Sequence, residues 1–262
     1  MDLGIAGKHA LVTASSRGLG LGIARAIAAE GAEVLLTGRD AEKLKAEAAT
    51  LSSETGRTVP FFAADLASAE GRAALGAEAE RLWGGVDILV NNTGGPPNMP
   101  TLSIPSDQWL SHIQSMVLPV TELTARFVSG MKERGWGRIL TVGSSGVVQP
   151  IPGLGLSNAL RAAIQGWSKT LSAELAPAGI TVNMILPGRI HTERVDQLDA
   201  LAAGRTGKTA EEVAKASRAT IAAGRYGKVE EFASVAAFLV SAPASYVTGS
   251  SVRVDGGIMR SV

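Results

Sequence analysis

The chain has 262 residues, of which 45% are hydrophobic and 19% are charged, and its formal net charge at pH 7 is +1. A chain of this length can bury a large core without covalent staples, and a near-neutral charge without a long basic run argues against nucleic-acid binding. The absence of cysteine excludes disulfides and cysteine nucleophiles, and the three histidines, His9, His112 and His191, lie too far apart in sequence to suggest a zinc site, so no metal is predicted.

The first residues lack a basic segment followed by an apolar stretch, and no apolar run reaches the roughly 18 residues that span a bilayer. We therefore expect no secretion signal, no membrane partner and a cytoplasmic location.

Short β-rich runs alternate with longer helical stretches along the chain. The predicted strands, in chain order, are His9–Ala14, Glu33–Thr37, Val59–Ala64, Val86–Asn91, Gly137–Gly143, Ile180–Leu186 and Ser251–Val254. The predicted helices are Gly18–Glu30, Ala41–Glu54, Ser106–Lys132, Ser157–Ala176 and Val229–Ser241. Several strands are continuous apolar runs, as expected for strands covered on both faces. The βαβα order predicts an α/β fold, with one Rossmann-like domain over 1–262 and a doubly wound, seven-stranded parallel sheet.

One long excursion, 187–227, separates two late elements and is predicted to be mostly irregular. It contains the Ala- and Gly-rich run Ala200–Lys208 and a predicted helix, Thr209–Ala222. Excursions of this length in compact α/β domains are often functional, so we predict a substrate lid, with a mobile surface insertion as the alternative. Its apolar residues favour a substrate with some apolar bulk, unless they pack on the sheet; they are Ile190, Val195, Leu198 and Leu201.

The first predicted strand runs into the turn Thr13–Gly20, and a helix follows at once. Glycines in such a turn let backbone N–H groups approach a phosphate closely, and the helix N-terminus adds a partial positive charge. The turn therefore predicts a dinucleotide-binding site, the alternative being a Gly-rich turn without a ligand.

Five motifs in the correct order resemble those of the short-chain dehydrogenase/reductase family, and most of all its 3-oxoacyl-carrier-protein reductases. The turn is similar to the family's TGxxxGxG, with Ala14 in place of the first glycine. The other four are Asn91–Gly94 (similar to NNAG), Asp65-Leu66, Pro187-Gly188 and the tail Tyr246–Gly257. The resemblance covers essentially the whole chain. It implies that the cofactor is held by Thr13, Ser15, Ser16, Arg17, Gly18, Leu19, Gly20, Arg39, Asp65, Leu66, Asn92, Gly94, Pro187, Gly188, Ile190 and Thr192.

The end of the second strand indicates which dinucleotide is bound. NAD-preferring enzymes carry an acidic residue there for the ribose 2′-hydroxyl, whereas this chain has Gly38 followed by Arg39. Arg17 lies inside the glycine turn, and a guanidinium can hold a 2′-phosphate with two hydrogen bonds. We predict NADP(H) in preference to NAD(H), unless Arg39 is only a solvated charge at a helix start.

The family uses a tyrosine as proton donor, a lysine that lowers the pKa of the tyrosine and holds the nicotinamide ribose, a serine that hydrogen-bonds the substrate oxygen, and an asparagine that anchors a water. Ser144, at the end of the fifth predicted strand, matches the serine. By the family spacing, the place of the tyrosine falls on Ser157, that of the lysine on Arg161 and that of the asparagine on Met116. The resemblance therefore implies an atypical catalytic tetrad.

These substitutions leave two interpretations open. An aliphatic hydroxyl is a far weaker acid than a phenol, and arginine keeps the positive charge of lysine but does not relay protons. In the first interpretation the protein is an NADP(H)-dependent oxidoreductase acting on a small carbonyl or alcohol substrate, with His191 or His112 as candidate proton sources. In the second it is a non-catalytic dinucleotide-binding sensor or scaffold. A lyase or isomerase using the same pocket is a minor third case.

Two residues have structural alternatives at this stage. Ser157 could equally be the N-cap of the predicted helix Ser157–Ala176. Arg189 could meet an acidic group of the substrate or could be a surface charge. The family resemblance also implies a homotetramer or homodimer, joined through the helices Ser106–Lys132 and Ser157–Ala176 and through the last strand.

Overall fold

The computed structural model describes residues 1–260 and contains one sheet. Its strands are β1 (His9–Val12), β2 (Glu33–Gly38), β3 (Phe61–Ala63), β4 (Ile88–Asn91), β5 (Gly137–Val142), β6 (Ile180–Pro187) and β7 (Ser251–Val254). The spatial order is β3-β2-β1-β4-β5-β6-β7, and every neighbouring pair is parallel. The prediction of a doubly wound, seven-stranded parallel sheet is confirmed. The strand order reverses between β1 and β4, and ligands of such sheets bind in the crevice at this point.

Helices cover both faces of the sheet. They are α1 (Gly18–Ala29), α2 (Ala41–Thr55), α3 (Ala69–Trp83), α4 (Ser106–His112), α5 (Leu118–Glu133), α6 (Gly155–Leu175), α7 (Glu193–Thr206), α8 (Ala210–Arg218) and α9 (Val229–Leu239). The sequence of strand β1 does not alternate between apolar and polar residues, because both faces of the strand are buried. Ala10 and Val12 enter the core beneath α1 and α9, whereas Leu11 packs in a second core with Leu35 and Leu75. Across residues 1–260, no helix combines the length and apolarity needed to cross a bilayer.

Helix α3 was missed by the sequence analysis. Its segment mixes alanine with charged residues, so its apolar periodicity is weak, and only a few of its side chains, such as Leu75 and Ala79, are fully buried. Two capping signals were available instead. The Ser68 hydroxyl accepts a hydrogen bond from Gly71 N, and Gly84 ends the helix in the left-handed conformation with φ 70°.

The long helix predicted over Ser106–Lys132 is interrupted. Its middle, Ile113–Val117, is a π-helical segment between α4 and α5. Pro119 follows directly and explains the interruption. Proline lacks the N–H that would bond four residues back, and its ring crowds that carbonyl, so the backbone widens by one residue.

The excursion 187–227 is more regular than predicted. The run Ala200–Lys208 was expected to be irregular, but most of it belongs to α7, because alanine is the best helix former. Helix α8 starts within one residue of the predicted position, at a capping box between Thr209 and Glu212, but it ends at Arg218 rather than Ala222. It ends early because the chain turns to the C-terminal tail, where Ala223 N donates to Gly256 O at 2.9 Å.

Candidate functional site

The loops after β1 and β4 are joined at the switch point. Thr13 Oγ1 donates to Asn92 O at 2.7 Å and accepts from Asn92 N at 2.7 Å. The Asn92 side chain donates to Ala14 O at 3.2 Å. Thr13 and Asn92 therefore fix the crevice between the two strands, and the Thr13 hydroxyl is committed to the protein backbone.

Ser15 has a similar role on the other side of β1. Its hydroxyl donates to Val12 O at 2.7 Å and accepts from Thr37 N at 2.9 Å, and the side chain is fully buried. Since Ser15 and Thr13 use their hydroxyls to hold the turn, only their backbone groups remain for a dinucleotide.

The turn keeps the shape of the glycine motif despite its alanine. Ala14 has φ 47°, and within residues 1–260 no other non-glycine residue has a positive φ. An L-residue in this region costs about 1–2 kcal/mol relative to glycine. Gly20 is needed for a different reason, because a Cβ there would lie 2.4 Å from Ala14 O and 2.7 Å from Asn92 Nδ2. Helix α1 can approach the strand this closely only with glycine at position 20.

The N-terminus of α1 fits a pyrophosphate. Arg17 precedes the helix in an extended conformation, no side chain caps it, and its first turn carries no acidic residue. By contrast, α2 is capped by Asp40 and α3 by Ser68, and each has a glutamate in its first turn. The first N–H groups of α1 therefore lack a protein partner and keep their partial positive charge, which is the chemistry that binds a phosphate.

The end of β2 is crowded at Gly38 and carries an exposed arginine, Arg39. The Ser16 side chain lies over Gly38, where an added Cβ would be 3.0 Å from Ser16 Oγ. An acidic residue at position 38 would thus crowd Ser16. Arg39 is exposed, and among the described residues it forms no ion pair or hydrogen bond. Its guanidinium is available to a ligand.

Two further predicted contacts lie after β3. Asp65 is exposed, and its Oδ1 accepts from Ala67 N at 3.0 Å. Leu66 O accepts from the buried Arg72 at 3.0 Å. The Asp65 carboxylate keeps a free oxygen at the surface beside β2.

The excursion 187–227 starts at the carboxyl edge of the sheet, and backbone hydrogen bonds join its two ends. Gly188 N donates to Val254 O at 3.0 Å, and a Cβ at Gly188 would meet Asp255 Cα at 2.6 Å. His191 N donates to Gly227 O at 2.8 Å, and Gly227 N donates to Arg189 O at 2.9 Å. The chain of residues 191–226 therefore leaves the sheet edge and returns to it at the same place, where Arg189 and His191 meet Gly227. Ile190, at that point, belongs to the main core rather than to an open pocket wall.

Two charged residues of this segment have internal partners. Arg189 Nη1 donates to the buried Asp199 at 3.2 Å, so it neither stands free for a substrate acid nor is a simple surface charge. The side chain of His191 is 66% exposed, and its Nε2 lies 3.1 Å from Asp196 Oδ1. This orientation gives no support to His191 as a proton source.

Ser144 and Ser157 are the hydroxyls at the end of β5. Ser144 Oγ accepts from Gly146 N at 3.0 Å, which leaves its proton free to donate. The prediction that Ser157 caps a helix is wrong, because α6 starts earlier, at Gly155, with Leu154 as the N-cap. Ser157 is thus inside the helix, only 8% exposed, and its hydroxyl forms no hydrogen bond with any described residue.

Arg161 lies one turn after Ser157 on the same face of α6. It is 9% exposed, and its Nη1 donates to Val142 O at 2.8 Å. Its Nη2 reaches two carbonyls of the loop after β4 at longer distances, Thr93 O at 3.4 Å and Gly94 O at 3.5 Å. Burial lowers the pKa of Arg161 to about 10, so the guanidinium remains protonated at neutral pH. Within residues 1–260, no carboxylate pairs with it.

The remaining predicted position, Met116, lies in the π-helical segment. It is 1% exposed and packs against Leu156 and Leu160. The wall of the site next to Ser157 is therefore apolar, and no side chain there replaces a polar relay group. His112 ends α4, and no hydrogen bond within the described part of the chain joins it to the two serines or to Arg161.

Neither tyrosine of the chain replaces the missing phenol. Tyr226 donates to Asp199 Oδ2 at 2.7 Å, and burial, followed by the negative charge of Asp199, raises the pKa of Tyr226. Tyr246 is fully exposed beyond α9.

One functional candidate was missed by the sequence analysis. Glu193, the first residue of α7, lies against Arg17 and Lys43. The three residues are far apart in sequence. The only sequence feature that pointed to Glu193 was its place in the first turn of a helix, where acidic residues are common because they stabilise the helix dipole.

Known proteins of the short-chain dehydrogenase/reductase family resemble this chain over nearly its full length. The sequence matches the profile of a family described as enoyl-(acyl carrier protein) reductase over residues 13–259. It is 37% identical over 251 residues to "Dehydrogenase/reductase SDR family member 4" of Bos taurus, covering 95% of this chain and 86% of that protein. It is 32% identical over 260 residues to the 3-oxoacyl-(acyl-carrier-protein) reductase FabG of Aquifex aeolicus, covering 98% of this chain and 100% of that protein. The crystal structure of L-sorbose reductase from Gluconobacter frateurii, complexed with NADPH and L-sorbose, has a TM-score of 0.95 and 33% identity, and covers 100% of both chains.

Proposed function

Since this chain belongs to the short-chain dehydrogenase/reductase family of oxidoreductases, we propose that it is an NADP(H)-dependent reductase of a small carbonyl substrate. The observation that carries this proposal is a pair of buried residues one turn apart on α6. Among the described residues, the Ser157 hydroxyl has no hydrogen-bond partner and the Arg161 guanidinium has no carboxylate partner. Together with Ser144 they form a group of hydrogen-bond donors in which the Arg161 guanidinium carries the positive charge. Such a set favours negative charge on a carbonyl oxygen.

The cofactor half rests on the turn and on two arginines. The uncapped start of α1 would hold the pyrophosphate, with Gly20 allowing the close approach. Arg39 and Arg17 would hold the 2′-phosphate, and Asp65 would meet the adenine. The remaining contacts implied by the family are Asn92 and Gly94 after β4, and Pro187, Gly188, Ile190 and Thr192 at and after the end of β6. Ile190 would contribute only backbone groups, because its side chain is buried in the main core. When bound, the nicotinamide supplies a hydride.

The substituted residues suit the stabilisation of an alkoxide. Ser144 and Ser157 would donate hydrogen bonds to the carbonyl oxygen, and Arg161 would stabilise the negative charge that develops there, in both directions of the reaction. Arg161 is protonated and an aliphatic hydroxyl is a very weak acid and a very weak base, so neither residue transfers the proton efficiently. Water would then supply the proton that completes the alcohol, and the hydroxide that remains would be neutralised by the solvent.

A non-catalytic dinucleotide binder is the second candidate. It is favoured by the apolar wall at Met116 and by the absence of a phenol near Ser157. The two candidates share the cofactor site and differ in turnover only.

The segment 187–227 is proposed as the substrate lid, because its two ends are tied at Ile190 and Gly227 while its helices lie between them. A homotetramer or homodimer is proposed through α5, α6 and β7. In support, α6 presents an exposed row of small residues that another helix could approach closely. They are Ala159, Ala162, Ala163, Gly166, Thr170 and Ala173. Sedimentation at the mass of a single chain would contradict this assembly.

Calorimetric titration with NADPH and NADH tests the cofactor half. We expect micromolar or tighter binding of NADPH and weaker binding of NADH. If neither NADPH nor NADH binds, the proposed cofactor site is contradicted. A carbonyl panel that includes L-sorbose and a 3-oxoacyl thioester, the substrates suggested by the relatives, then tests the catalytic half by following NADPH oxidation.

A further inference from the structure

A carboxylate lies against the arginine of the glycine turn, a residue that the sequence predicts to bind a phosphate. Glu193 Oε2 accepts a hydrogen bond from Arg17 Nη1 at 3.0 Å, and Glu193 Oε1 lies 4.0 Å from Lys43 Nζ. Arg17 belongs to the glycine turn, Lys43 to the first turn of α2 and Glu193 to the start of the lid helix α7. Three separate elements therefore meet at one side-chain carboxylate.

The group of cations has no other acidic partner. Within residues 1–260, the only ion pairs of Arg17 and Lys43 are those with Glu193, and Arg39 has none. The nearby Asp40 carboxylate accepts from the backbone N–H of Lys43 and so serves as the helix cap. Glu193 is thus the anion that Arg17 and Lys43 hold in the structure.

The ion pair between Arg17 and Glu193 is weak enough for a ligand phosphate to displace the carboxylate. The side chains of Arg17 and Glu193 are 61% and 63% exposed, and water screens such a pair strongly. A phosphate carries more charge than a carboxylate and offers three acceptor oxygens to a guanidinium. A ligand phosphate that reaches Arg17 therefore competes with Glu193 on favourable terms.

The contact also fastens the lid to the cofactor turn. Thr192, next to Glu193, has its Cγ2 3.8 Å from the position of a Cβ at Gly18. The base of the lid is fixed separately by the backbone hydrogen bonds of Gly227 with Arg189 and His191. Loss of the Glu193 contact would free the start of α7 while the base stays in place.

We propose that Glu193 holds the place of the 2′-phosphate of the dinucleotide and latches α7 to the glycine turn until a phosphate-bearing nucleotide takes Arg17. Glu193 is then a specificity-determining residue, because a nucleotide with a plain 2′-hydroxyl leaves the latch in place. This inference rests on the NADP(H) part of the proposed function and not on hydride transfer.

The test uses the full chain with 2′,5′-ADP and 5′-ADP as probes, which differ in the 2′-phosphate and carry no nicotinamide. In Glu193→Gln we expect 2′,5′-ADP to bind about threefold to tenfold more tightly, because the competing carboxylate is gone, and 5′-ADP affinity to stay unchanged. Glu211→Gln is the matched control. It removes the same charge from the same lid, but Glu211 pairs with Arg218 within α8, so neither affinity should change.

Amide hydrogen exchange gives a second readout. We expect 2′,5′-ADP to speed exchange in the first turns of α7 in the wild type, to the rate that free Glu193→Gln already shows. An unchanged 2′,5′-ADP affinity in Glu193→Gln, an equal change for both probes, or an unaffected lid would overturn the latch. If 2′,5′-ADP binds as expected but no carbonyl is reduced, hydride transfer fails while the latch stands. If neither probe binds the wild type, both proposals fail.

Discussion

Two buried arginines at opposite ends of β5 show how similar chemistry can serve two purposes. Arg138 lies at the start of the strand and Arg161 packs against its end; they are 2% and 9% exposed. Neither pairs with a carboxylate in the described part of the chain, and burial lowers the pKa of both. They differ in how well their guanidinium groups are satisfied.

Arg138 is the better satisfied of the two. It donates to Ser241 O at 3.0 Å, Gly137 O at 2.8 Å and Gly179 O at 3.3 Å, and its guanidinium lies over the Trp136 ring at 4.4 Å. Arg161 has one short hydrogen bond, at 2.8 Å, and two at 3.4 and 3.5 Å. A buried charge that is only loosely satisfied costs stability. Since Arg161 lies at the carboxyl edge of the sheet, where ligands of this fold bind, we propose that it is kept for function.

Arg161→Met tests this difference with the largest expected effect. The variant fills similar space without charge, so we expect carbonyl reduction to fall about 10²–10³-fold, as when one donor to a developing oxyanion is lost. The free energy of unfolding should stay the same or rise, because the cost of burying a charge is removed. Kinetics and urea unfolding of the same preparation measure both; a loss of stability together with activity would assign Arg161 to the fold.

Arg138→Met is the matched variant at the other end of β5. We expect a loss of about 2–4 kcal/mol in unfolding free energy, because buried carbonyls lose charged donors. The kcat/KM of the folded protein should be unchanged. Denaturant unfolding and steady-state kinetics distinguish the two arginines, and equal behaviour of both variants would break the comparison.

Ser157→Ala sharpens the assignment of the α6 face. We expect kcat/KM to fall about 10–100-fold through loss of one hydrogen bond to a developing charge. Thermal stability should hold or rise slightly, because alanine is the better residue inside a helix and the Ser157 hydroxyl has no hydrogen-bond partner within residues 1–260. A drop in the melting temperature without a change in kinetics would show a structural serine.

Arg39 extends the comparison to an exposed arginine without a partner. In Arg39→Asp we expect NADPH to bind at least about tenfold more weakly, because a charge-assisted contact to the 2′-phosphate is replaced by repulsion. NADH should bind as well or better, since an acidic residue can accept the ribose 2′-hydroxyl. An unchanged preference between the two nucleotides in calorimetry would mean that Arg39 is only a solvated charge.

An exposed arginine with a partner, Arg225, has the smallest expected effect. Hydrogen bonds from Arg225 and then from the Lys228 backbone N–H lower the pKa of Glu231 to about 2, from an ordinary value of 4.5. A depressed carboxyl pKa contributes stability that is present above pH 4.5 and is lost as the pH falls towards 2. At low salt, acid unfolding of Glu231→Gln should therefore depend less on pH in this window than that of the wild type; parallel curves would show that the ion pair contributes nothing.

The sequence predicted the parallel sheet and the glycine turn, because strand patterns and motif spacing are local, and motif spacing also singled out Ser144, Ser157 and Arg161 as candidate site residues. It did not predict the partners of these residues. The start of α6 at Gly155 depends on how the preceding loop enters the helix, and the acceptors of Arg161 come from the end of β5 and from the loop after β4. The contact of Arg17 with Glu193 joins residues 176 positions apart. Contacts of this kind arise from packing of distant segments, which no local pattern records.

Substrate-dependent oxidation of NADPH, followed with NADPH deuterated at the nicotinamide C4 position, tests the central claim most directly. The account predicts steady turnover with a carbonyl substrate, slowed by deuterium in the transferred position, although no tyrosine or lysine stands at positions 157 and 161. Tight NADPH binding without turnover, over a carbonyl panel in which a relative with the full tetrad is active, would contradict it. The protein would then be a dinucleotide-binding member of its family that transfers no hydride.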